Sequence, residues 1–451
     1  MRSSRSVVVG ALALALAALL VARGARAGND DGVLLGNEAA MTGGSGGAIA
    51  SDGTGAWYNP ASVAGVDRDS IDVSGSATML RIAETPRLLT SATGRSADGG
   101  YFELTGIPSA VSLTRRLDCS TALSLGLWGP ALTGHTDRVN LDDPSTDFTA
   151  RWQLVQQESS QSYYAGITLA GVITSNFRMG ITLFGLYRQS TLVTHFFGGV
   201  YEPDGTTVRG AQGFAELESL QSVGLELGAG LQWEAVPGLF LGLALRSPGL
   251  QLGSLNRSTF SRFSVTPTDG TAFGATDDSS LAPNVGLVTP MRLRVSAAWR
   301  FMERAWIGLD VDVQHELSEP SLGIQRRWLV NGRVGGRFWL DENFSMGVGF
   351  FTDLSPRSAV VHYGETNIDF FGGSLGLELH TPHRLGPGES AETIVFAQTF
   401  ALRYAAGVGT IGGLRVDADV PISIDRPTLP VATTATTVHE LSLHIGSAVY
   451  F

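Results

Sequence analysis

Three groups of residues in this 451-residue chain have types and spacing that could support chemistry. The run Gly43-Gly44-Ser45-Gly46-Gly47 matches the G-x-S-x-G pattern that presents a nucleophilic serine. That chemistry needs a strand before the serine and a helix after it. Here no strand pattern precedes the run, and more small residues follow it. Ser190 and His195 share one extended segment, but an odd spacing puts them on opposite faces, out of reach of a shared proton. The eight histidines show no His-x-Glu or His-x3-His spacing, and the single cysteine, Cys119, excludes both a disulfide framework and a cysteine zinc site. No phosphate-binding loop is present. The expectation is no catalysis, no metal and no cofactor.

The third group is charged. Arg292, Arg294, Arg300, Arg333 and Arg337 fall on the same side of neighbouring segments as Asp310 and Asp312. One of the arginines, with Arg292 and Arg333 as candidates, could receive a carboxylate ligand. The simpler reading is ion pairing between strands inside a wet interior. Apolar candidates for a binding pocket are Leu34, Leu35, Trp57 and Tyr58, which could equally be packing residues.

These residues must be positioned by a chain of unusual composition. Only 16% of residues are charged, 43% are hydrophobic, and 57 are glycine, about 13% against a usual ~7%. The net charge of −11, with no basic tract, argues against nucleic-acid binding. Arg2 and Arg5, the apolar stretch Val7–Ala22 and Ala25-Arg26-Ala27 read as a signal peptide over residues 1–27, cleaved after Ala27. No cysteine follows the apolar stretch, so the signal is not of the lipoprotein kind. Beyond Gly28 no apolar run of 18 or more residues appears. An exported, low-charge chain without a spanning helix is either a secreted β-rich protein or an outer-membrane β-barrel.

Alternation favours the barrel. Leu225, Leu227, Ala229, Leu231 and Trp233 oppose Gly224, Glu226, Gly228, Gly230 and Gln232. Likewise Leu293, Val295, Ala297, Trp299 and Phe301 oppose Arg292, Arg294, Ser296, Ala298 and Arg300. Such segments exceed the ~5–6 residues of an ordinary strand. Marking them predicts fourteen strands over residues 70–451, among them 119–129, 238–247 and 290–301. Short connections alternate with long ones, notably 130–161, 197–213, 248–289, 354–366 and 407–437, the rhythm of tight periplasmic turns and long external loops. Apolar external stretches such as Ala131-Leu132 and Leu250–Leu255 could line an outer capture groove or be plain surface. The chain ends in Phe451 on an alternating strand, resembling the signal read by the barrel assembly machinery.

Residues 28–69 do not alternate and are rich in Gly and Ala, which suits a compact plug in a confined lumen. Asn59-Pro60-Ala61 reads as a turn, since Pro fixes φ and Asn bonds nearby backbone. Asp52 reads as a backbone acceptor in a glycine-rich turn. Gly44, Gly46, Gly47, Asp52 and Trp57-Tyr58-Asn59-Pro60-Ala61 resemble the N-terminal hatch signature of the FadL-type long-chain fatty-acid transporters. Leu127–Pro130, Leu243–Pro248, Thr289-Pro290 and Asp353–Pro356 also look similar to that family. The chain departs from it in beginning the mature sequence Gly28-Asn29-Asp30-Asp31 and in carrying Ser62 after Asn-Pro-Ala.

The resemblance implies an all-β, 14-stranded antiparallel transmembrane barrel with an N-terminal hatch in its lumen, monomeric, in a Gram-negative outer membrane beside lipid and lipopolysaccharide. It implies passive, gated uptake of hydrophobic compounds, foremost long-chain fatty acids. Ligand would be captured among external loops, held near the hatch and released sideways through the wall. The competing expectation is a hatch-containing barrel with a structural or surface-receptor role.

Overall fold

The computed structural model describes residues 33–50, 52–266, 270–282, 285–319, 324–357, 360, 363–385, 392–417 and 431–451. The expected signal peptide and residues 28–32 lie outside the described residues. Most of the described residues are strand. In the first half these are β1 (Ser70–Ser91), β2 (Ser96–Arg116), β3 (Thr121–Pro144), β4 (Thr149–Thr174), β5 (Phe177–Tyr201) and β6 (Val208–Val236). Next come β7 (Leu239–Arg246), β8 (Gly249–Thr266), β9 (Gly270–Ala282), β10 (Gly286–Thr289), β11 (Arg292–Met302) and β12 (Ala305–Gln314). The small pair β13 (Leu317–Glu319) and β14 (Ile324–Arg326) forms its own sheet. The remainder are β15 (Leu329–Trp339), β16 (Phe344–Asp353), β17 (Thr366–Leu385), β18 (Glu392–Val416) and β19 (Val431–Tyr450).

Alternation turns one face of each strand outward. Ile167, Ile181 and Leu227 are 55–60% exposed, while their neighbours Thr168, Thr182 and Glu226 are buried. The outward face makes an apolar belt; the inward face is small, polar or charged. Every strand pairs antiparallel with the next from β1 to β7, then β7 pairs with β11. The ladder continues through β12, β15, β16, β17, β18 and β19. It closes where β19 returns to β1, from Ser70↔Tyr450 to Glu84↔Thr437. The fold is a closed, all-β barrel.

The expected count of fourteen strands is not kept: seventeen strands lie in the main sheet. The expected strands 238–247 and 290–301 are kept as β7 and β11, and the additional strands β8, β9 and β10 lie in the expected connection 248–289. Pro248, with no N–H to give a ladder, separates β7 from β8, which pairs with β6. Pro290 likewise separates β10 from β11.

Of the expected long connections, 354–366 is kept between β16 and β17, whereas 130–161 and 248–289 are corrected because most of their described residues are strand. β3 and β4 run through 130–161 and turn only at 145–148, and β8, β9 and β10 take up most of 248–289. The polar run Gln156–Gln161 carries no apolar stripe, yet it is laddered to Gln189–Thr194 of β5. Beyond the belt both faces of a strand meet water or protein, so the alternation that betrays a strand lower down is absent while the backbone pairing persists.

The long hairpins fold over the upper mouth, the end opposite the tight turns. Arg87 takes φ 58°, and the chain there turns Leu88 and Leu89 inward, both fully buried. Residues Leu89–Ser91 then pair parallel with Leu414–Val416. Leu88 and Leu89 pack with Val139, Trp152, Leu154 and Phe214 into an apolar core above the lumen. Replacing the fully buried Leu154 with Ala is expected to cost about 2–5 kcal/mol in this upper core. Limited proteolysis of detergent-purified protein should then cut the upper hairpins earlier, with the heat-modifiable migration of the barrel unchanged.

Candidate substrate-binding site

Residues 33–50 and 52–66 lie inside the barrel, as helix α1 (Asn37–Thr42) and two 3-10 turns, Gly53–Trp57 and Pro60–Gly65. Almost every residue of this segment is buried. Gly43, Gly44 and Gly46 have φ of 69°, 80° and 125°, which L side chains rarely adopt. The close fit is reciprocal. A Cβ on Gly230 of β6 would sit 2.0 Å from Asn59 Oδ1, and one on Gly349 of β16 would meet the Thr42 carbonyl at 2.1 Å. Glycines in both the segment and the wall let backbone approach backbone.

Each motif residue has a defined place. The Asp52 carboxylate accepts from Gly55 N at 2.6 Å and from the Thr54 hydroxyl at 2.9 Å, capping the first 3-10 turn. The Asn59 amide donates to the carbonyls of Gly47 (2.8 Å) and Leu231 (2.9 Å), while its Oδ1 accepts from Ala61 N. Asn59 therefore ties segment to wall. Pro60 opens the second turn and lies against Gly180, Gly228 and Gly230. Gly47 N donates to Asp310 at 3.0 Å, and Gly44 lies beside Arg333 and Leu34.

Trp57 is the hub of a ring cluster. Its centroid is 4.9 Å from Tyr164, 5.8 Å from Phe184 and 6.1 Å from Trp128, and the first two contacts are edge-to-face. Arg246 covers the Trp57 face at 3.8 Å and donates to the Trp57 carbonyl. It also pairs with Glu226 at 3.1 Å. Tyr58 accepts from Leu35 N through its hydroxyl and lies under Arg294. Leu35 packs with the ring cluster, whereas Leu34 packs elsewhere, with Phe351, Ile368 and Phe370.

Sequence reasoning missed Trp128, Tyr164, Phe184 and Arg246. No local pattern marked them: Gly126 and Gly166, on the inward face beside these rings, are brought opposite each other only by the register of β3 and β4. A Cβ there would strike the Trp128 ring at 2.2 and 2.8 Å.

The charged group divides. Arg294 grips Asp312 with Nε and a second nitrogen (2.5 and 2.8 Å), and Arg333 donates to the same carboxylate at 2.6 Å. Arg337 of β15 pairs with Glu378 of β17 over the intervening strand β16, and Arg300 is exposed near the lower rim. Arg292, with Arg246 and Arg294, lines a cavity of about 40 Å³ beside Trp57 and Tyr58. Arg292 and Trp57 are thus brought together, while Arg333 sits beyond Asp312.

Two further cavities flank this one. In the upper hairpins, about 230 Å³ is lined by Phe196, Phe197, Phe214, Phe263, Ala215 and His195 among others. Neither Ala131-Leu132 nor Leu250–Leu255 lines it; both stretches are strand. At the lower end, about 290 Å³ is lined by Glu38, Asp52, Asp67, Arg68, Arg337 and Glu378 among others. Burial pushes the Glu38 carboxyl up to about 7 and raises that of Asp52. This end is charged and suits no apolar solute.

The wall itself has a window. β2 and β3 are laddered from Arg116↔Ala122 only as far as Ala110↔Trp128. Above that point β2 pairs with β1 and β3 pairs with β4. Val33 N donates to the Pro130 carbonyl at 3.3 Å, and Val33, Leu35 and Met79 are buried beside Ala110 and Trp128. The N-terminal segment thus backs the window from inside.

No protein-family model and no curated protein sequence matches the chain. Solved structures do. A FadL homologue of Pseudomonas aeruginosa is similar at TM-score 0.57 and 12% identity, over 92% of this chain and 98% of that one. The Pseudomonas putida toluene transporter TodX is similar at 0.56 and 11%, over 92% and 98%. The Ralstonia pickettii toluene transporter TbuX is similar at 0.51 and 11%, over the same shares. The structural neighbours of the chain are FadL-type transporters, and its fold is theirs: a closed, all-β barrel.

Proposed function

We propose that the chain is a channel of the Gram-negative outer membrane for passive, gated uptake of hydrophobic compounds, with long-chain fatty acids as the first substrate class. The observation that carries this reading is the buried N-terminal segment standing behind a window in an otherwise laddered wall. In this reading residues 1–27 are the export signal, 28–69 the hatch and 70–451 the barrel. The exposed Phe451, whose N–H donates to the Asp69 carbonyl, serves as the assembly signal.

An apolar solute is worth about 25 cal/mol per Å² of surface kept from water, so a productive route is dry at each stage. The outer phenylalanine cavity captures it. The Trp57 cluster and the cavity beside Arg292 receive it next, with Leu34, Leu35 and Tyr58 displaced to make room; Arg292 meets the carboxylate of a fatty acid, and Arg333 reinforces the site through Asp312. The charged lower end turns the solute away from the periplasm. Exit through the window between β2 and β3 delivers it to the bilayer without a watery step or an energy source. Lipid and lipopolysaccharide surround a monomer.

Aromatic hydrocarbons are the second reading. The edge-to-face ring cluster around Trp57 favours it, because a small flat ring can join such an array. The names of two structural neighbours, both toluene transporters, point the same way.

Deleting residues 28–60 is expected to abolish uptake of radiolabelled oleate by whole cells while a heat-modifiable barrel still assembles. Unchanged uptake in that deletion would leave a structural or receptor role for the barrel. For Trp57→Ala, loss of ring contacts is expected to lower toluene uptake about tenfold. Oleate uptake should fall less, and equal losses for both solutes would remove the aromatic reading.

A further inference from the structure

A cation occupies the middle of the ring cluster. Trp57, Tyr164 and Phe184 stand edge to face around a common space, each at most 7% exposed. The Arg246 side chain of β7 reaches into that space. Its Cζ lies 3.8 Å from the Trp57 centroid, 4.6 Å from that of Phe184 and 6.0 Å from that of Tyr164. It donates to the Trp57 carbonyl at 2.8 Å and pairs with Glu226 of β6 at 3.1 Å.

A guanidinium is planar and lies on aromatic faces much as a second ring does, so it is the charged group best able to stand in for a flat apolar solute. The wall is cut back to let the rings lie close. A Cβ on Gly166 would come within 2.8 Å of Trp128 and 3.0 Å of Phe184, and one on Gly228 within 3.2 Å of Phe184. Beside Arg246 some space is already open, as the cavity of about 40 Å³ that it lines together with Trp57, Tyr58 and Phe184. That is too small for a ring, whereas an apolar cavity of about 150 Å³ binds benzene. Moving the guanidinium enlarges the space toward that size, and Glu226 gives its charge a partner that does not depend on the rings.

We propose that Arg246 is a built-in stand-in for an aromatic ligand: it fills a slot that accepts a flat ring, and a neutral aromatic solute binds by taking its place. Arg246 thereby sets specificity. A solute that displaces it must offer a plane of its own to recover the contacts that the guanidinium gives up, and an alkyl chain offers none. This role rests on the reading of the chain as a channel for hydrophobic compounds, and within that reading it favours aromatic solutes.

The test labels full-length protein in membrane vesicles with an aryl diazirine and maps the adducts by mass spectrometry. Cutting back Arg246 alone would strand the buried Glu226, so the variant combines Arg246→Ala with Glu226→Gln. Toluene-competed adducts on the peptides carrying Trp57, Tyr164 and Phe184 are expected to rise about fivefold over both the parent and the Glu226→Gln single variant. A fatty acid carrying an alkyl diazirine is expected to gain less than about twofold at the same rings. Equal gains for the two reagents make the vacated space a plain hole and overturn the slot. Adducts already as strong in the parent also overturn it and leave aromatic uptake standing. No toluene-competed adduct in any of the proteins overturns the slot and the aromatic reading together. If the double variant gives no heat-modifiable barrel, Arg246→Lys keeps the charge beside Glu226 without the plane. Its aryl labelling is expected to rise severalfold, and labelling unchanged from the parent overturns the slot.

Discussion

Backbone N–H and C=O groups facing lipid must find partners within the protein, and most of this architecture follows from that requirement. In a hydrocarbon layer each unsatisfied group costs several kcal/mol, so a sheet must close on itself. Closure is achieved through the long β1–β19 ladder. The requirement also makes the break above Ala110↔Trp128 informative, since two strand edges stand beside each other there without pairing. Contacts from Glu103 and Tyr101, together with Val33 at the Pro130 carbonyl, do part of the work that a ladder does elsewhere. A wall that spends side chains where backbone would suffice is one whose parts can separate.

The interior obeys a different rule. A lumen crossed by a folded segment has little room, and the segment and wall solve this by removing side chains in matched places. Gly230 faces Asn59, Gly349 faces Thr42, and Gly126 and Gly166 leave space for Trp128 and Phe184. Into the volume so freed go a few large groups, above all Trp57 with Arg246 across its face. Charge is paired at several points, as where Asp312 takes two arginines. Burying such a triad stabilises little by itself, but removing one member strands the others, so it fixes the relative register of β11, β12 and β15.

Much of this was legible in the residues. The outward rows of Leu225, Leu227 and Trp233, or of Val295, Trp299 and Phe301, are the belt. The small-residue run before residue 70 is the buried segment, and Asp52 and Asn59 bind backbone as their types suggest. What escaped has physical causes. The upper hairpins lack a lipid-facing stripe, so Gln156–Gln161 read as a loop although its ladder is unbroken. The strands β8, β9 and β10 lie in the stretch 248–289 that read as one long connection, so the count fell short. Trp128, Tyr164 and Phe184 meet only through pairings of three strands, and no local spacing announces that. The break between β2 and β3 is invisible in either strand alone, since both alternate as ladders should.

The apolar core built from Leu88, Leu89, Trp152, Leu154 and Phe214 lies over the upper mouth. A tube stoppered with packed hydrocarbon gives hydrated ions and small hydrophilic poisons nothing to dissolve in. Cells could therefore carry this protein in great abundance with little loss of the envelope's impermeability, a liberty that an open water-filled pore of the same girth would deny them.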